Sequence, residues 1–380
     1  MTQRLRQSDD APSLRAIAAR FAIDSPPGAI EPLGRGLIND TFSLQAGGRR
    51  YVLQRINGAV FPDPERIMSN LRVLGEHLAG QMSAGLRLPT LIATRDGAPS
   101  LRDANGGCWR LMEFIPDAVT LERIADDGQA REVGAVLGRF HRLTESLPCE
   151  RLGLSLPDFH ATPVYLERLL TLAEQTGMTL EDPAVRTALD FVSTRHALAS
   201  VLDEAQRDGR LRLRVTHGDP KLDNILFDDD GRAVALIDLD TVQPGLIQHD
   251  LADCLRSCCN QCGESADGDA AVRFDPALCA AILDGYAQEM RDLLTAADID
   301  LLYDAIRLLP FELGLRFLTD HLEGDRYFRV SERGQNLRKA GIQFALVADI
   351  ERQEATIRTL IAARFGHNEP QRRKGAKDAE

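Results

Sequence analysis

The feature that most constrains this chain is a β-rich island at residues 211–240, LRLRVTHGDPKLDNILFDDDGRAVALIDLD, set inside sequence that is otherwise patterned for helices. Short apolar runs alternate with polar turns across it, as strands and hairpins require. Upstream, Val133, Val136, Leu137 and Phe140 recur at helical spacing instead. A fold that satisfies both patterns holds hairpins within a helical body. The turn HGDPKLDN, between two apolar runs, then has fixed walls, and His217, Asp219 and Asn224 can converge in it. The run AVALIDLD is predicted to end a buried strand with Asp238 and Asp240 on one side at period two.

Ahead of the island the pattern differs. Leu14 to Phe21 is predicted to form a short amphipathic helix, ended by Pro26, Pro27 and Gly28. Residues 31–57 alternate about Gly47 and Gly48, which predicts a hairpin or meander. Residues 64–80 are expected to be helical, and 86–94 and 108–115 to be strands, the second with Trp109, Leu111 and Phe114. The expected fold class is α+β in two lobes. A small antiparallel β-sheet forms the N-lobe, residues 1–115, and a larger, mainly helical C-lobe covers 116–365. Residues 366–380 have too little apolar content to pack and are expected to be a disordered tail.

Fifty-seven acids against 45 bases leave a net charge of −12, which argues against a nucleic-acid-binding surface. No apolar stretch approaches the length that spans a bilayer, and MTQRLRQSDD lacks the apolar run of a secretory signal. Seven cysteines, an odd number, favour reduced thiols, and a cytoplasmic protein is expected. Cys254, Cys258, Cys259 and Cys262 are close in sequence. Helical spacing spreads them over more than one face, so small buried helix residues are favoured over a zinc site.

Clustering carboxylates without a cation is costly, because like charges repel and each loses hydration. Hard divalent cations want such oxygen ligands. Phosphoryl transfer asks for a positioned base, carboxylates and an amide that hold magnesium, and a cover for the phosphates. Asp219 is the candidate base and Asn224 a candidate metal ligand. Asp228, Asp229 and Asp230 are read as solvated turn residues.

The order His-x-Asp-x-x-x-x-Asn and then an Ile-Asp strand end resembles the catalytic core of the aminoglycoside phosphotransferase and choline kinase superfamily. The resemblance implies a protein-kinase-like two-lobe fold and the use of ATP and Mg²⁺. It assigns Asp219 as base, Asn224 and Asp238 as metal ligands, and Asp240 as a second metal ligand or loop-orienting group. His217 would support the loop. The segment HDLADCLR resembles the family's Asp-Leu-Ala segment, where Asp250 would brace the loop; a plain helix N-cap explains it equally. LGRGLINDTF would cover the phosphates, with Gly34 and Gly36 admitting the nucleotide and Asn39, Asp40 and Thr41 adding polar contacts. In the next strand Gln54 stands where such kinases carry Lys or Arg, and it is ranked site-facing over Arg55. The helix Glu that usually accompanies that cation is Glu65 or Glu76, unless both are solvated. RLMEFIPDAVT resembles the hinge, where backbone groups around Glu113 to Ile115 would bind adenine; a core strand leading into a loop explains it too.

FELGLRFLTDHLEGDRYFRV, taken with IDLDT and YVLQRIN, resembles the N-acetylhexosamine 1-kinase branch of that superfamily. This implies phosphorylation of the anomeric hydroxyl of a small-molecule sugar, with Arg316 and Tyr327, and secondarily Asp320, contacting its hydroxyls. Arg316 and Asp320 are also spaced to pair with each other, and Tyr327 to pack. A hemiacetal proton is more acidic than that of an ordinary alcohol, which eases the demand on the base. The alternatives are a kinase of the same fold acting on an amino alcohol, aminoglycoside or homoserine, and a non-catalytic nucleotide-binding regulator.

Overall fold

The computed structural model describes residues 11–34, 38–80, 85–176, 182–263, 272–328 and 330–366. Its first part runs α1 (Ala11–Ala18), β1 (Ile30–Pro32), β2 (Asp40–Ala46), β3 (Arg49–Ile56), α2 (Pro64–Leu78), β4 (Leu91–Ile92), β5 (Leu101–Arg102) and β6 (Cys108–Glu113). These strands make one antiparallel sheet in the order β1-β2-β3-β6-β4, with β5 paired to β6. Gly47 and Gly48, at φ 57° and 76°, turn β2 into β3 as a tight hairpin whose twist suits the sheet. The strand expected at 86–94 is reduced to Leu91–Ile92. The chain before it pairs elsewhere: Arg87 N–H donates to the Val234 carbonyl, across the lobe boundary.

The helical part contains α3 (Asp127–Thr144), α4 (Thr162–Thr176), α5 (Pro183–Ser193) and α6 (Val201–Arg207), then two short antiparallel strand pairs. Strand β7 (Arg214–Thr216) pairs with β10 (Gln243–Gly245), and β8 (Ile225–Phe227) pairs with β9 (Ala233–Leu236). There follow α7 (Ile247–Cys258), α8 (Pro276–Met290), α9 (Ala296–Asp300), α10 (Leu302–Leu322), α11 (Gln335–Arg352) and α12 (Glu354–Phe365). Asp–Pro pairs open α2, α5 and α8. The aspartates cap through the N–H of Arg66, Ala184 and Ala277, while proline fills a position that needs no donor.

One core lies under the sheet and joins Leu14 and Phe21 to Leu44, Leu53, Trp109 and Leu111. A second sets Ile67, Leu71 and Leu74 of α2 against Val133, Leu137 and Phe140 of α3 and Ile282 of α8, so the sheet's own helix is seated on the helical body. A third gathers α4, α10 and α11 through Leu169, Leu308, Leu315 and Phe344. Helices α3 and α8 touch backbone to backbone. A Cβ at Gly134 would lie 1.9 Å from the Ile282 carbonyl oxygen, and one at Gly285 would lie 1.9 Å from that of Arg131. Gly134→Ala is therefore expected to force the pair apart and cost about 1–3 kcal/mol, read as a lower urea midpoint. Among the described residues no helix is long and apolar enough to cross a membrane. The tail expected at 366–380 lies, from residue 367 onward, outside the described residues.

Candidate active site

The turn 217–224 leaves β7, enters a short 3-10 turn at Leu222–Asn224 and continues as β8. Its backbone is held from below. Asp250, with no exposed surface, accepts from the N–H of His217 (2.7 Å) and Gly218 (2.8 Å), and His141 Nε2 lies 2.9 Å from the same carboxylate. Burial opposes ionisation of Asp250, but the His141 hydrogen bond and the His141 and His217 rings hold its pKa below the usual carboxylate range. Asp250 is the fourth residue of α7, whose N-cap is Leu246, so it braces the turn and is not a cap. Burial lowers the pKa of His217. Its Nε2 donates to the Ile237 carbonyl (3.0 Å), and its Nδ1 accepts from Asp219 N–H (3.3 Å). Gly218 sits at φ 87°, and a Cβ there would be 2.7 Å from Thr241 Cβ, so only glycine fits.

This frame presents Asp219 with 29% of its side chain exposed. Lys221 Nζ is 2.6 Å from Asp219 Oδ2, and Asn224 Nδ2 donates to the same oxygen (3.1 Å) and to the Asp219 carbonyl (2.8 Å). Ile237 N–H donates to the Asn224 carbonyl at 2.9 Å, which brings Asn224 and Asp238 to one end of the β8–β9 hairpin. The protein mass around Asp238, with the Asp240 and Asp219 carboxylates beside it, raises its pKa, although its side chain still meets solvent. The described residues gather no group of three or more His, Cys, Asp or Glu side chains at metal-binding separation. A carboxylate and an amide oxygen fit magnesium when phosphate oxygens complete its shell.

The expected pairing of Asp238 with Asp240 on one strand face is corrected. Strand β9 ends at Leu236, Asp238 takes a left-handed conformation at φ 63°, and Leu239–Thr241 form a 3-10 turn. Period-two alternation therefore stops before either aspartate. Asp240 turns instead toward the sheet, 2% exposed, where Asn39 Nδ2 donates to its Oδ2 (2.7 Å) and Arg110 Nη2 lies 2.6 Å from its Oδ1. Through these contacts it ties the 3-10 turn to the sheet.

In the phosphate-covering segment, Gly34 has φ 71° and open space around it, and Leu33 N–H donates to the Thr41 carbonyl. Gly36 lies outside the described residues. Asn39 Oδ1 accepts from Asn57 N–H (2.9 Å), and Asp40 is exposed. Gln54 donates to Thr41 Oγ1 (3.0 Å) and accepts from Arg110 Nε (2.9 Å) and Nη2 (2.6 Å). Neither candidate helix glutamate reaches it: Glu65 pairs with Arg102, and Glu76 with Arg72 and Arg151. At the expected hinge, the Glu113 carboxylate pairs with Arg49. The N–H groups of Glu113 and Phe114 are used by the carbonyls of Thr90 (2.9 Å) and Arg50 (3.3 Å), so these two N–H groups belong to the fold, and Ile115 lies in the loop after β6.

Behind Gly218 stands a wall that no sequence pattern announces. His160, at φ 59°, sets Nε2 3.2 Å from the Gly218 carbonyl and Nδ1 2.9 Å from Glu312 Oε1, while Thr162 Oγ1 donates to Glu312 Oε2 (2.6 Å). Burial opposes the His160 charge, but the Glu312 carboxylate prevails and raises its pKa. Burial likewise opposes ionisation of Glu312, and His160 holds it at about 2. Arg316 lies 5.4–5.8 Å from the ring centroids of Phe159, Tyr165, Tyr327 and Phe328. Asp320 does not pair with Arg316. Its carboxylate accepts from the N–H of Arg326, Tyr327 and Phe328 and from Asn336 Nδ2, at 2.7–2.9 Å. That saturates it as a bracket for the segment carrying Tyr327, which leaves no free face for a sugar hydroxyl. Tyr327 is 45% exposed. Of the cysteines, Cys108, Cys254, Cys258, Cys259 and Cys279 are buried, while Cys149 and Cys262 are partly buried and Cys262 lies beyond the end of α7; the thiol of Cys254 is pushed well up by Cys258 and burial, that of Cys259 by burial and Cys279.

Residues 29–291 match the model of the phosphotransferase enzyme family. The fold is similar to that of an aminoglycoside phosphotransferase from Alicyclobacillus acidocaldarius, with TM-score 0.65 and 15% identity over 96% of this chain and 98% of that one. A spectinomycin phosphotransferase solved with ADP and spectinomycin gives TM-score 0.59 and 13% identity over 92% and 100%. A choline kinase from Cryptosporidium parvum gives 0.57 and 14% over 94% and 100%. At these identities the likeness is one of fold: a small antiparallel sheet above a mainly helical body, the protein-kinase-like arrangement.

Proposed function

The chain belongs to the phosphotransferase enzyme family, and from that premise we propose that it is an ATP-dependent kinase that phosphorylates the anomeric hydroxyl of an N-acetylhexosamine, giving the sugar 1-phosphate and ADP. The observation that carries the chemistry is Asp219, solvent-reached on a turn whose backbone Asp250 holds, with Asn224 and Asp238 beside it. The acceptor hydroxyl gives its proton to Asp219 as its oxygen bonds to the γ-phosphorus, and the bond to the β–γ bridging oxygen breaks, releasing ADP. Asn224 and Asp238 would hold magnesium. Its contribution when bound is to neutralise charge on the phosphate oxygens. Gly34, Asn39, Asp40 and Thr41 cover the phosphates and the chain at 113–115 borders adenine. Residues 1–115 are then the nucleotide-covering lobe and 116–365 the lobe of the base and acceptor.

What supports a sugar over a cationic amino alcohol or aminoglycoside is the wall behind Gly218. Arg316 and a His160 ring with raised pKa stand there beside Glu312, whose carboxylate His160 already pairs, so a cationic acceptor meets two groups of its own charge on that wall. Arg316 and Tyr327 remain the proposed hydroxyl contacts.

ADP release with a panel of N-acetylhexosamines, ethanolamine, choline, homoserine and an aminoglycoside, with and without Mg²⁺, tests this. Turnover is expected with an N-acetylhexosamine and Mg²⁺ only. The methyl glycoside of the best sugar, blocked at the first carbon, is expected to be inert. ADP release that ignores the sugar, or that prefers an amine, removes the acceptor assignment; phosphorylation of the glycoside moves transfer to another hydroxyl.

A further inference from the structure

Phosphoryl transfer in this fold needs a cation across the nucleotide's phosphates, and β3 offers the uncharged Gln54. Directly opposite Gln54 in the β3–β6 register is Arg110. Side chains directly opposite on antiparallel strands share a face, with Cβ atoms about 4.5–5.5 Å apart, so Arg110 delivers its charge to the face where Gln54 points. That face looks onto Asp240, two residues beyond Asp238, and lies beneath Thr41 and Asn39 of the covering segment.

We propose that Arg110, from β6, is the phosphate-pairing cation of this enzyme, with Gln54 as its positioning residue. The inference rests on the nucleotide-dependent function given above. Arg110 is 1% exposed, a costly place for a guanidinium unless its donors are used. Nε and Nη2 both donate to Gln54 Oε1. Nη2 lies 2.6 Å from Asp240 Oδ1 but is poorly aligned, so that oxygen has no hydrogen-bond donor. Among the described residues Nη1 has no hydrogen-bond partner. A buried, charged N–H without an acceptor costs more than its hydrogen bond would gain, so a strong acceptor belongs at Nη1. A phosphate oxygen is such an acceptor, and guanidinium geometry suits it. The Gln54 amide is itself oriented by donation to Thr41 Oγ1, which commits its oxygen to Arg110. A lysine at 54 would offer no acceptor and would set a second positive charge against the first.

The rival role for Arg110 is an interlobe clamp through Asp240, and the two separate on the phosphates. Direct binding of ADP and of adenosine is measured by calorimetry for the wild type, Arg110→Gln and Arg110→Lys, with melting curves for each. Arg110→Gln is expected to weaken ADP by about 10- to 100-fold, the worth of hydrogen bonds to a charged group, and to leave adenosine near wild type. Arg110→Lys, which keeps the charge, is expected to recover part of the ADP preference. Equal loss of ADP and adenosine, or an unchanged preference with only a lower Tm, makes Arg110 a clamp and overturns the proposal. Should Arg110→Gln fail to fold, Asp240→Asn decides. Releasing the guanidinium is expected to raise the preference for ADP over adenosine, whereas a clamp predicts weaker binding of both. A wild type that binds neither ligand overturns the nucleotide-dependent function itself, and this inference with it.

Discussion

Asp219→Asn is expected to lower kcat by about 10²- to 10⁴-fold, the usual contribution of a positioned base, while ADP affinity stays close to wild type. The substitution keeps the shape of the side chain and removes its ability to take a proton. The turn should not move, because what fixes it is backbone: His217 and Gly218 N–H on Asp250, and the His217 carbonyl on Thr241 Oγ1. The one partner that loses its charge complement at this position is Lys221, 2.6 Å away and partly exposed, where an ion pair contributes little to stability. A coupled ADP assay gives kcat and calorimetry gives the ADP affinity. A near-normal rate would remove Asp219 as the base. A parallel loss of ADP affinity would show that it serves the nucleotide and not the proton.

The turn 217–224 was legible because its parts are close in sequence and flanked by apolar runs that can only be strands, here β7 and β8. Asp250 was legible as one of two roles, and its place in the fourth position of α7 decides between them. The placing of Asp238 and Asp240 on one strand face failed for a local reason. Alternation holds only while the strand continues, and a left-handed Asp238 is not visible in the letters AVALIDLD. Gln54 was read as the anomaly, but the arginine that bonds it lies 56 residues away in a strand partner, and register between distant strands is not a sequence pattern. One signal was available: Arg110 is a single charge within the apolar run CWRLM, and a buried arginine calls for a dedicated acceptor. Lys221 stood inside the motif and was passed over. His160 and Glu312 carried no signal, because they meet across 152 residues through a non-glycine residue at positive φ.

Asp250→Ala is expected to be the most damaging change to both stability and rate. Asp250 is fully buried and collects the N–H groups of His217 and Gly218 and the ring of His141, whose Nδ1 is 2.8 Å from Tyr286 Oη. Alanine leaves all three donors buried without an acceptor. Breaking a buried, hydrogen-bonded charge from one side costs about 3–5 kcal/mol, read as a lower urea midpoint. Asp250→Asn is the gentler probe. It keeps one acceptor oxygen where two are used, so the variant is expected to fold but to let the turn shift. A displacement of about 1 Å at the base is enough to cost on the order of 10² in kcat. Its pH profile separates a charge effect from a shape effect. The folded-state pKa of Asp250 is depressed, so its carboxylate contributes stability fully above the unfolded-state value of about 3.9 and loses that contribution as pH falls through the folded value. Wild type is therefore expected to lose stability more steeply than Asp250→Asn on acidification below about pH 4. Parallel acid limbs would mean that Asp250 holds the turn by shape alone. An unchanged kcat in Asp250→Asn would mean that the base does not depend on this brace.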